Sequence, residues 1–250
     1  MAIVLDTHVH IYDCYDLDMF FGSAFANLAK HGNGSSKALL LAERNDCNFF
    51  DRLQKNGKAG KWKVSDGGSG EYFTVVNEIG NKLHVFAGRQ VVTAERLEVL
   101  SLLSNRMIDD GLPARDVINA SQDAGAVPVL TWALGKWMFE RGKVVSRLVE
   151  ESKPGELLIG DSFMRPAYCS EPSLMQDARK YGLGVIAGTD PLPFAGDETI
   201  VGRYASLIDA ELDFADPAAS LRKVLCSEKP DVRTVGSRGG IIKTAKRWMK

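Results

Sequence analysis

Residues 3–10 read IVLDTHVH, a stretch that joins the signal of a buried strand to a pair of potential metal ligands. An apolar run leads into Asp6 and then into two histidines one residue apart, His8 and His10. The chain has four histidines, so half of them lie at the end of this one predicted strand. Side chains two apart on a strand share one face, and two imidazoles on one face can bind the same metal ion. The alternative is that both are ordinary polar residues at the start of a loop.

The composition is ordinary for a soluble globular protein. The 250 residues include 45% hydrophobic and 25% charged residues, with a formal net charge of -1. This length suits one large domain, and we predict a single domain over 1–250. Because the net charge is close to neutral, we expect no nucleic-acid partner and no membrane partner.

Targeting signals and cysteine pairs are both missing from the sequence pattern. No basic segment of a signal peptide follows Met1, and no stretch approaches the roughly 18 apolar residues of a membrane span. The four cysteines form no CxxC pair, which argues against a zinc ribbon. We therefore expect a cytoplasmic protein with reduced thiols.

Short apolar runs alternate with helical stretches along most of the chain. Buried strands are predicted at 127–134, 156–162 and 182–190, and helices follow the first two. Residues 196–210 are expected to lead into a further helix. This alternation is typical of a parallel sheet covered by helices, so the pattern predicts a βα barrel-like core of about seven strands.

Two regions depart from that alternation. Residues 58–93 contain successive antiparallel strand patterns with turn signals between them, which predicts a β-hairpin insertion between the second and third barrel strands. The tail, 232–250, is predicted to form a strand, a glycine-rich turn and a basic terminal helix.

Glu98 stands out within the apolar run RLEVLSLL (96–103). A carboxylate in a buried strand is costly unless it is paired or bound to a metal ion. The alternative to a metal is a salt bridge to Arg89 or Arg44. Functional groups in parallel βα barrels gather at the carboxyl ends of strands, and the metal-bound alternative makes Glu98 a candidate site residue.

Asp190 ends the apolar strand 182–190, directly before a proline-rich loop. Its alternative role is to cap that loop. Together with His8, His10 and Glu98, it would supply two imidazoles and two carboxylates, which is enough to bind one metal ion.

This combination resembles the PHP (polymerase and histidinol phosphatase) domain. The shared features are an HxH after strand one, a lone Glu in a middle strand and an Asp that ends the last barrel strand. The resemblance implies an α/β chain with a distorted (β/α)7 TIM-like barrel, close in style to the amidohydrolases. It also implies a metal-dependent phosphoesterase, with His8, His10, Glu98 and Asp190 as metal ligands.

The chain departs from the family pattern at several further ligand positions, where the family usually has Asp, His or Cys. Other residues stand there: Glu43 and Arg44, Thr131 and Trp132, Asp161, and Leu192. At most one of the family's three metal sites is then intact, with Asp161 able to support a second. We therefore expect one or two divalent ions, of zinc, manganese or iron.

The remaining candidate residues would act on the substrate. Asp161 and Asp13 are candidate catalytic bases. Arg44, Arg89, Arg165 and Lys136 are candidates for binding an anionic substrate. The alternative is that the arginines pair with neighbouring carboxylates such as Glu43 or Asp161 in an internal ion-pair network.

Two functional hypotheses follow from this pattern. The first is a metal-dependent hydrolase, a phosphoesterase by resemblance, that acts on a small anionic substrate with metal-activated water. The second is a catalytically degenerate PHP-like protein that serves as an anion-binding or regulatory module.

Overall fold

A computed structural model describes residues 2–32, 34–66, 70–228 and 230–239. These residues form six α-helices and thirteen strands, so the predicted α/β class is confirmed. The helices are α1 (Leu17–Ala29), α2 (Phe49–Asn56), α3 (Ala114–Asp123), α4 (Phe139–Glu151), α5 (Ser173–Lys180) and α6 (Pro217–Leu225). The strands are β1 (Ile3–Val9), β2 (Ser36–Leu41), β3 (Lys58–Ala59), β4 (Trp62–Asp66), β5 (Tyr72–Val76), β6 (Lys82–Phe86), β7 (Gly88–Val92), β8 (Glu98–Leu102), β9 (Val127–Thr131), β10 (Leu158–Ser162), β11 (Val185–Gly188), β12 (Tyr204–Ile208) and β13 (Val232–Gly236).

The strands belong to two mixed sheets. The first has the order β13-β12-β1-β2-β6-β5-β4-β3, and the second has the order β11-β10-β9-β8-β7. Parallel pairing joins β1 to β2, β2 to β6, and β9 to β10 to β11. Antiparallel pairing joins β12 to β1, and β8 to both β7 and β9.

The expected (β/α)7 TIM-like barrel is therefore not what the described strands form. A βα barrel needs parallel neighbours joined by helical crossovers, whereas β7 and β8 are joined by a short connection and run antiparallel. The second sheet also begins anew at β7 instead of continuing the ladder of the first. The fold keeps the helix-covered, mixed α/β character without a single closed ladder.

The two sheets nevertheless enclose one apolar core. It contains Leu5 and Leu40 from the first sheet, Leu102 and Val129 from the second, and Leu221 from α6. The outer faces are covered separately. Helices α1 and α2 pack on the first sheet, and α3, α4 and α5 pack on the second. This layering leaves the carboxyl ends of β1, β2, β9, β10 and β11 on the same side of the molecule.

One seam between the sheets runs along Glu43 and Arg89. These residues form an isolated parallel bridge, in which the Glu43 N–H donates to the Gly88 carbonyl and the Gln90 N–H donates to the Glu43 carbonyl, each at 2.9 Å. This bridge places the segment that follows β2 beside the start of β7.

The other seam depends on the buried carboxylate of Asp6. It accepts hydrogen bonds from the Thr189 N–H at 2.9 Å, the Gly202 N–H at 2.8 Å, the Thr189 hydroxyl and the His8 N–H. Asp6 is fully buried, and this desolvation raises its pKa to about 6, against the opposing effect of the four hydrogen bonds. Asp6 therefore fastens β1 to the end of β11 and to the turn before β12.

Three segments differ from, or add to, the sequence-based expectations. Residues 196–210 contain a short 3-10 helix and the strand β12 before α6 begins. The segment 58–93 holds β3 to β7, of which β6 pairs in parallel with β2 inside the first sheet. The predicted strand in the tail is β13, whereas the predicted basic terminal helix, 240–250, lies outside the described residues.

Among the described residues, no helix combines the length and the apolar character that crossing a membrane requires.

We expect Asp6→Ala to lower the free energy of unfolding by roughly 2–5 kcal/mol, because three buried backbone N–H groups would lose their acceptor. Urea denaturation followed by circular dichroism measures this loss. The control is Asp123→Ala at the exposed end of α3, which should change stability by no more than about 0.5 kcal/mol. Equal stability of the two variants would contradict the role given to Asp6.

A pH effect follows from His84 on β6. Burial is the main reason that its pKa falls from 6.5 to about 4, and Nδ1 lies 2.9 Å from the Tyr72 hydroxyl. The unfolded chain binds the proton more tightly, so the wild type should lose stability as pH falls from about 6.5 to about 4. The loss relative to His84→Gln should be on the order of 3 kcal/mol. Denaturation at several pH values measures this loss. The comparison variant is His31→Gln, which should change the pH profile less, because burial also lowers the pKa of His31 but this side chain is partly exposed. Parallel pH profiles for wild type and His84→Gln would refute the prediction.

Candidate metal centre

The two histidines of β1 converge on one point at the strand end. The Nε2 atoms of His8 and His10 are 3.1 Å apart, and both side chains are buried. Their rings meet edge to face with centroids 4.9 Å apart. The HxH spacing thus brings two imidazole nitrogens together, as the sequence predicts.

Asp190 approaches the same point from the end of β11. Its N–H donates to the His8 carbonyl at 2.8 Å, and its Oδ1 lies 3.6 Å from Nε2 of His8 and 3.5 Å from Nε2 of His10. The residue has a positive φ of 50°, a conformation that non-glycine residues adopt rarely. Nearby, a Cβ on Gly188 would collide with the His8 backbone, so glycine is required for β11 to come this close to β1.

Gln90 on β7 is a site residue to which the sequence assigned no role. Its Oε1 lies 3.0 Å from Nε2 of His8, and the residue is buried. A buried amide near the end of a predicted strand was the available signal. The sequence could not predict the contact with His8, because it depends on how the two sheets pack against each other.

The electrostatics of the cluster suit a cation. Burial is the main cause that lowers the pKa of His10, partly offset by Asp190, so the ring is neutral at pH 7. Burial alone would raise the pKa of Asp190, but His8 and His10 outweigh it and hold that pKa well below its usual range. The cluster therefore offers a neutral nitrogen lone pair next to an ionised carboxylate.

The spacing of the three donors also fits a metal ion. Tetrahedral ligands about 2.1 Å from zinc lie roughly 3.4 Å from one another. The three ligand atoms here are separated by 3.1, 3.5 and 3.6 Å. Within the described ranges, His8, His10 and Asp190 form the group of potential ligands whose donor atoms all lie within 4.8 Å of one another, close enough to share one ion.

Two of the three donor residues, His10 and Asp190, line a cavity of about 480 Å³ at the carboxyl ends of the strands. Its other lining residues include Tyr12, Arg44, Gln90, Glu98, Trp132 and Lys136. The cavity combines apolar walls with a few converging polar groups, as small-ligand sites do.

A larger cavity, of about 650 Å³, lies at the amino ends of β2 and β6 and is lined by Lys37, Tyr72 and His84 among others. None of the three clustered ligands lines it. Donor chemistry, not volume, therefore identifies the smaller cavity as the candidate site.

Glu98, predicted as the fourth ligand, lies in the same cavity at the start of β8. Its Oε1 forms an ion pair with Nζ of Lys136 at 2.5 Å. This partner is neither of the two arginines considered for it from the sequence.

Two other predicted substrate-binding residues, Arg44 and Arg89, differ in whether they reach the cavity. Arg44 lines the cavity, is half-exposed and pairs with Asp46 at 2.7 Å. Arg89 is buried, donates to the carbonyl of Cys47 and to Asn105, and lies 3.6 Å from Glu43. Arg89 therefore serves the seam between the sheets.

The two predicted bases are both engaged by arginines. Asp161 accepts from Arg165 at 2.7 and 2.5 Å and from the Tyr204 hydroxyl at 2.6 Å. Asp13 is exposed and pairs with Arg52 at 2.9 Å. For Asp161, the structure matches the ion-pair alternative that the sequence left open.

No family model matches the sequence, and no curated protein matches it. Solved structures do match at a probability of 1.00. PsfC from Pseudomonas syringae PB-5123 has a TM-score of 0.65 at 12% identity, over 99% of this chain and 98% of that one.

Two further structures are larger proteins. One is a two-domain protein from Bacteroides vulgatus that contains a predicted PHP-like metal-dependent phosphoesterase, with a TM-score of 0.53 at 11% identity over 95% of this chain and 65% of that one. The other is the lesion-specific endonuclease PfuEndoQ from Pyrococcus furiosus, with a TM-score of 0.55 at 10% identity over 94% of this chain and 58% of that one. The chain thus spans about three fifths of these two proteins.

One sequence-based expectation is overturned by these similarities. A matching structure is endonuclease Q in complex with a 27-mer duplex that carries an abasic lesion, at a TM-score of 0.54, with 9% identity, over 100% of this chain and 68% of that one. The exclusion of a nucleic-acid partner was therefore wrong, since a fold of this kind does bind DNA. Net charge summed over a chain does not describe the local field at one cavity.

The resemblance inferred from the HxH, the lone Glu and the closing Asp agrees with these structures: the chain has the fold of PHP-like metal-dependent phosphoesterases.

Proposed function

We propose that this chain is a metal-dependent phosphoester hydrolase whose site is the cavity at the carboxyl ends of the strands. The observation that carries the proposal is the convergence of His8, His10 and Asp190 on one point beside that cavity, which His10 and Asp190 line. A zinc, manganese or iron ion held there supplies Lewis-acid activation of water and of a phosphoryl oxygen.

The chain's own residues then hold the ester. Lys136 and Arg44 present cationic groups to the cavity, where they bind the non-bridging oxygens of a phosphate. Trp132 and Tyr12 provide aromatic walls that hold the organic part of the ester and limit access of bulk water. Gln90 lies beside the converging ligands and offers a hydrogen bond to the attacking water.

The proton acceptor is not one of the two predicted bases. Both oxygens of Asp161 already accept hydrogen bonds from Arg165 or Tyr204, and Asp13 is exposed and paired with Arg52. A base must lie within hydrogen-bond reach of the proton that it removes and have a free oxygen. Asp190 lies within that reach of a water beside the histidines, and its Oδ2 has only a long contact, 3.4 Å, with the Ser162 hydroxyl. Because the pKa of Asp190 is held well below its usual range, we assign this oxygen the role of orienting the water and not that of taking its proton.

The cavity supports a small phosphoester group as substrate. Its volume suits a phosphate with one modest organic substituent. The same chemistry serves a free phosphate ester and a nucleotide of a DNA strand, so the test includes both.

A binding module without catalysis is the second candidate. The observation that favours it is the pairing of Glu98 with Lys136 and of Asp161 with Arg165, which removes two carboxylates from metal chemistry. Such a protein would retain an anion site and hydrolyse nothing.

We expect the full chain, supplied with Mn²⁺ or Zn²⁺, to hydrolyse at least one member of a panel. The panel contains p-nitrophenyl phosphate, bis-p-nitrophenyl phosphate and a duplex with an abasic site. His10→Ala should lower the rate about 100-fold or more, because it removes one of three clustered ligands. Release of p-nitrophenol and a gel assay of the duplex measure the rates.

His31→Ala is the matched control, since this histidine lies beyond α1, outside the cavity. Its rate should equal that of the wild type. Hydrolysis that survives unchanged in His10→Ala would refute the proposed site. Anion binding with no hydrolysis of any panel member would establish the binding module instead.

A further inference from the structure

We infer that the cavity holds a single divalent ion, and that the Lys136 ammonium supplies the second positive charge in place of a second ion. The inference rests on the proposed function, because it concerns the same cavity. It is carried by the partners of the carboxylates that surround His8 and His10.

Asp161 is the first carboxylate that the chain has neutralised. Arg165 donates to both of its oxygens, and the Tyr204 hydroxyl adds a third hydrogen bond. Asp161 and Arg165 are both about 5% exposed. To bind a metal, Asp161 would have to release a buried guanidinium with no other carboxylate partner in the described residues, which is strongly unfavourable.

Glu98 is the second carboxylate that the chain has neutralised. Nζ of Lys136 lies 2.5 Å from Oε1, and both side chains are partly buried at the cavity wall. A divalent ion on Glu98 would meet this ammonium at close range and be repelled by it. Lys136 therefore occupies the place beside Glu98 that a second cation would need.

The loop between β9 and α4 is built to hold Lys136 in that place. The chain turns at Gly135, which has a φ of +70°, and the Lys136 N–H donates to the Ala133 carbonyl at 3.1 Å. The Trp137 indole N–H donates to the Thr131 carbonyl at 3.0 Å, and Arg141 donates to the Gly135 carbonyl at 2.9 Å. Hydrogen bonds thus hold the residues before and after Lys136 in place, and with them the ion pair to Glu98.

The remaining carboxylates near the histidines are also engaged. Asp6 accepts four hydrogen bonds at the seam. Glu43 accepts the Phe50 N–H at Oε1, while its Oε2 accepts no hydrogen bond from the described residues and forms an ion pair with Arg89 at 3.6 Å. Asp190 differs from these acidic residues, because its side chain contacts the imidazoles of His8 and His10 and, at 3.4 Å, the Ser162 hydroxyl.

One carboxylate and two imidazoles make a complete set for one ion with an open position. Two-metal sites hold their ions about 3.5–4 Å apart and act on both the attacking and the leaving oxygen. Here the second role falls to Lys136, because an ammonium has three donors and only one is directed at Glu98. The other two are available to a phosphoryl oxygen, which makes Lys136 a substrate-positioning residue.

Isothermal titration of the metal-free full chain with Mn²⁺, and in parallel with Zn²⁺, tests the inference by stoichiometry. We expect one equivalent for the wild type. Lys136→Ala frees Glu98, so it should either tighten binding about tenfold or admit a second equivalent. The double variant Lys136→Ala, Glu98→Gln should return to one equivalent at the wild-type affinity. Lys143→Ala removes an exposed lysine that pairs with Glu140 on α4, and it should change neither quantity.

The outcomes separate this inference from the proposed function. Two equivalents in the wild type, or a Lys136→Ala titration identical to that of the wild type, would overturn the single-ion inference and leave the proposed hydrolase standing. No binding of either ion by the wild type would overturn both. Thermal unfolding of each metal-free variant shows that it is folded before titration.

Discussion

The hydrogen bonds of the Asp6 carboxylate are the constraint on which the rest of this structure depends. Strands β1 and β11 belong to different sheets, and Asp6 joins them by accepting from Thr189 and Gly202 in the fully buried seam. The absence of a side chain at Gly188 allows the same approach from the other strand. Because Asp190 follows Thr189 directly, the seam that closes the core also sets the distance from Asp190 to the histidines of β1. Fold and site are therefore fixed by one set of contacts.

Burial of charge explains why the surroundings of the site look as they do. A carboxylate in a buried wall must be compensated, either by a metal ion or by a cation that the chain itself supplies. At Asp161 and Glu98 the compensating groups are Arg165 and Lys136, which are present as soon as the chain folds. Among the described residues, no Lys or Arg forms an ion pair with Asp190, whose side-chain neighbours are two imidazoles and the Ser162 hydroxyl. Among these three acidic residues, Asp190 is therefore the one whose charge the proposed metal ion would compensate.

The sequence predicted those parts of the structure that depend on local pattern. The period of two in HVH places His8 and His10 on one face, and the continuous apolar runs predict β9, β10 and β11. Strand β12 was missed because its short segment, YASLI, follows a stretch with helical character and pairs antiparallel with β1 across a long sequence separation. The open arrangement of the two sheets, the partner of Glu98 and the place of Gln90 are all decided by tertiary contacts, on which spacing along the chain carries no information.

The pairing of Lys136 with Glu98 has a consequence for how such a site can evolve and work. A lysine has a fixed single charge and a flexible stem, whereas a metal ion has two charges and must be taken up from solution. Substituting one for the other lowers the positive charge that the cavity offers to a phosphate, but it makes that charge independent of metal supply. It also ties the charge to the loop that begins after β9, so movement of this loop would change the field at the phosphate without altering the ligands of the remaining ion. In this cavity the cluster of His8, His10 and Asp190 and the ammonium of Lys136 are thus held by separate elements, β1 and the end of β11 for the cluster and the β9–α4 loop for Lys136.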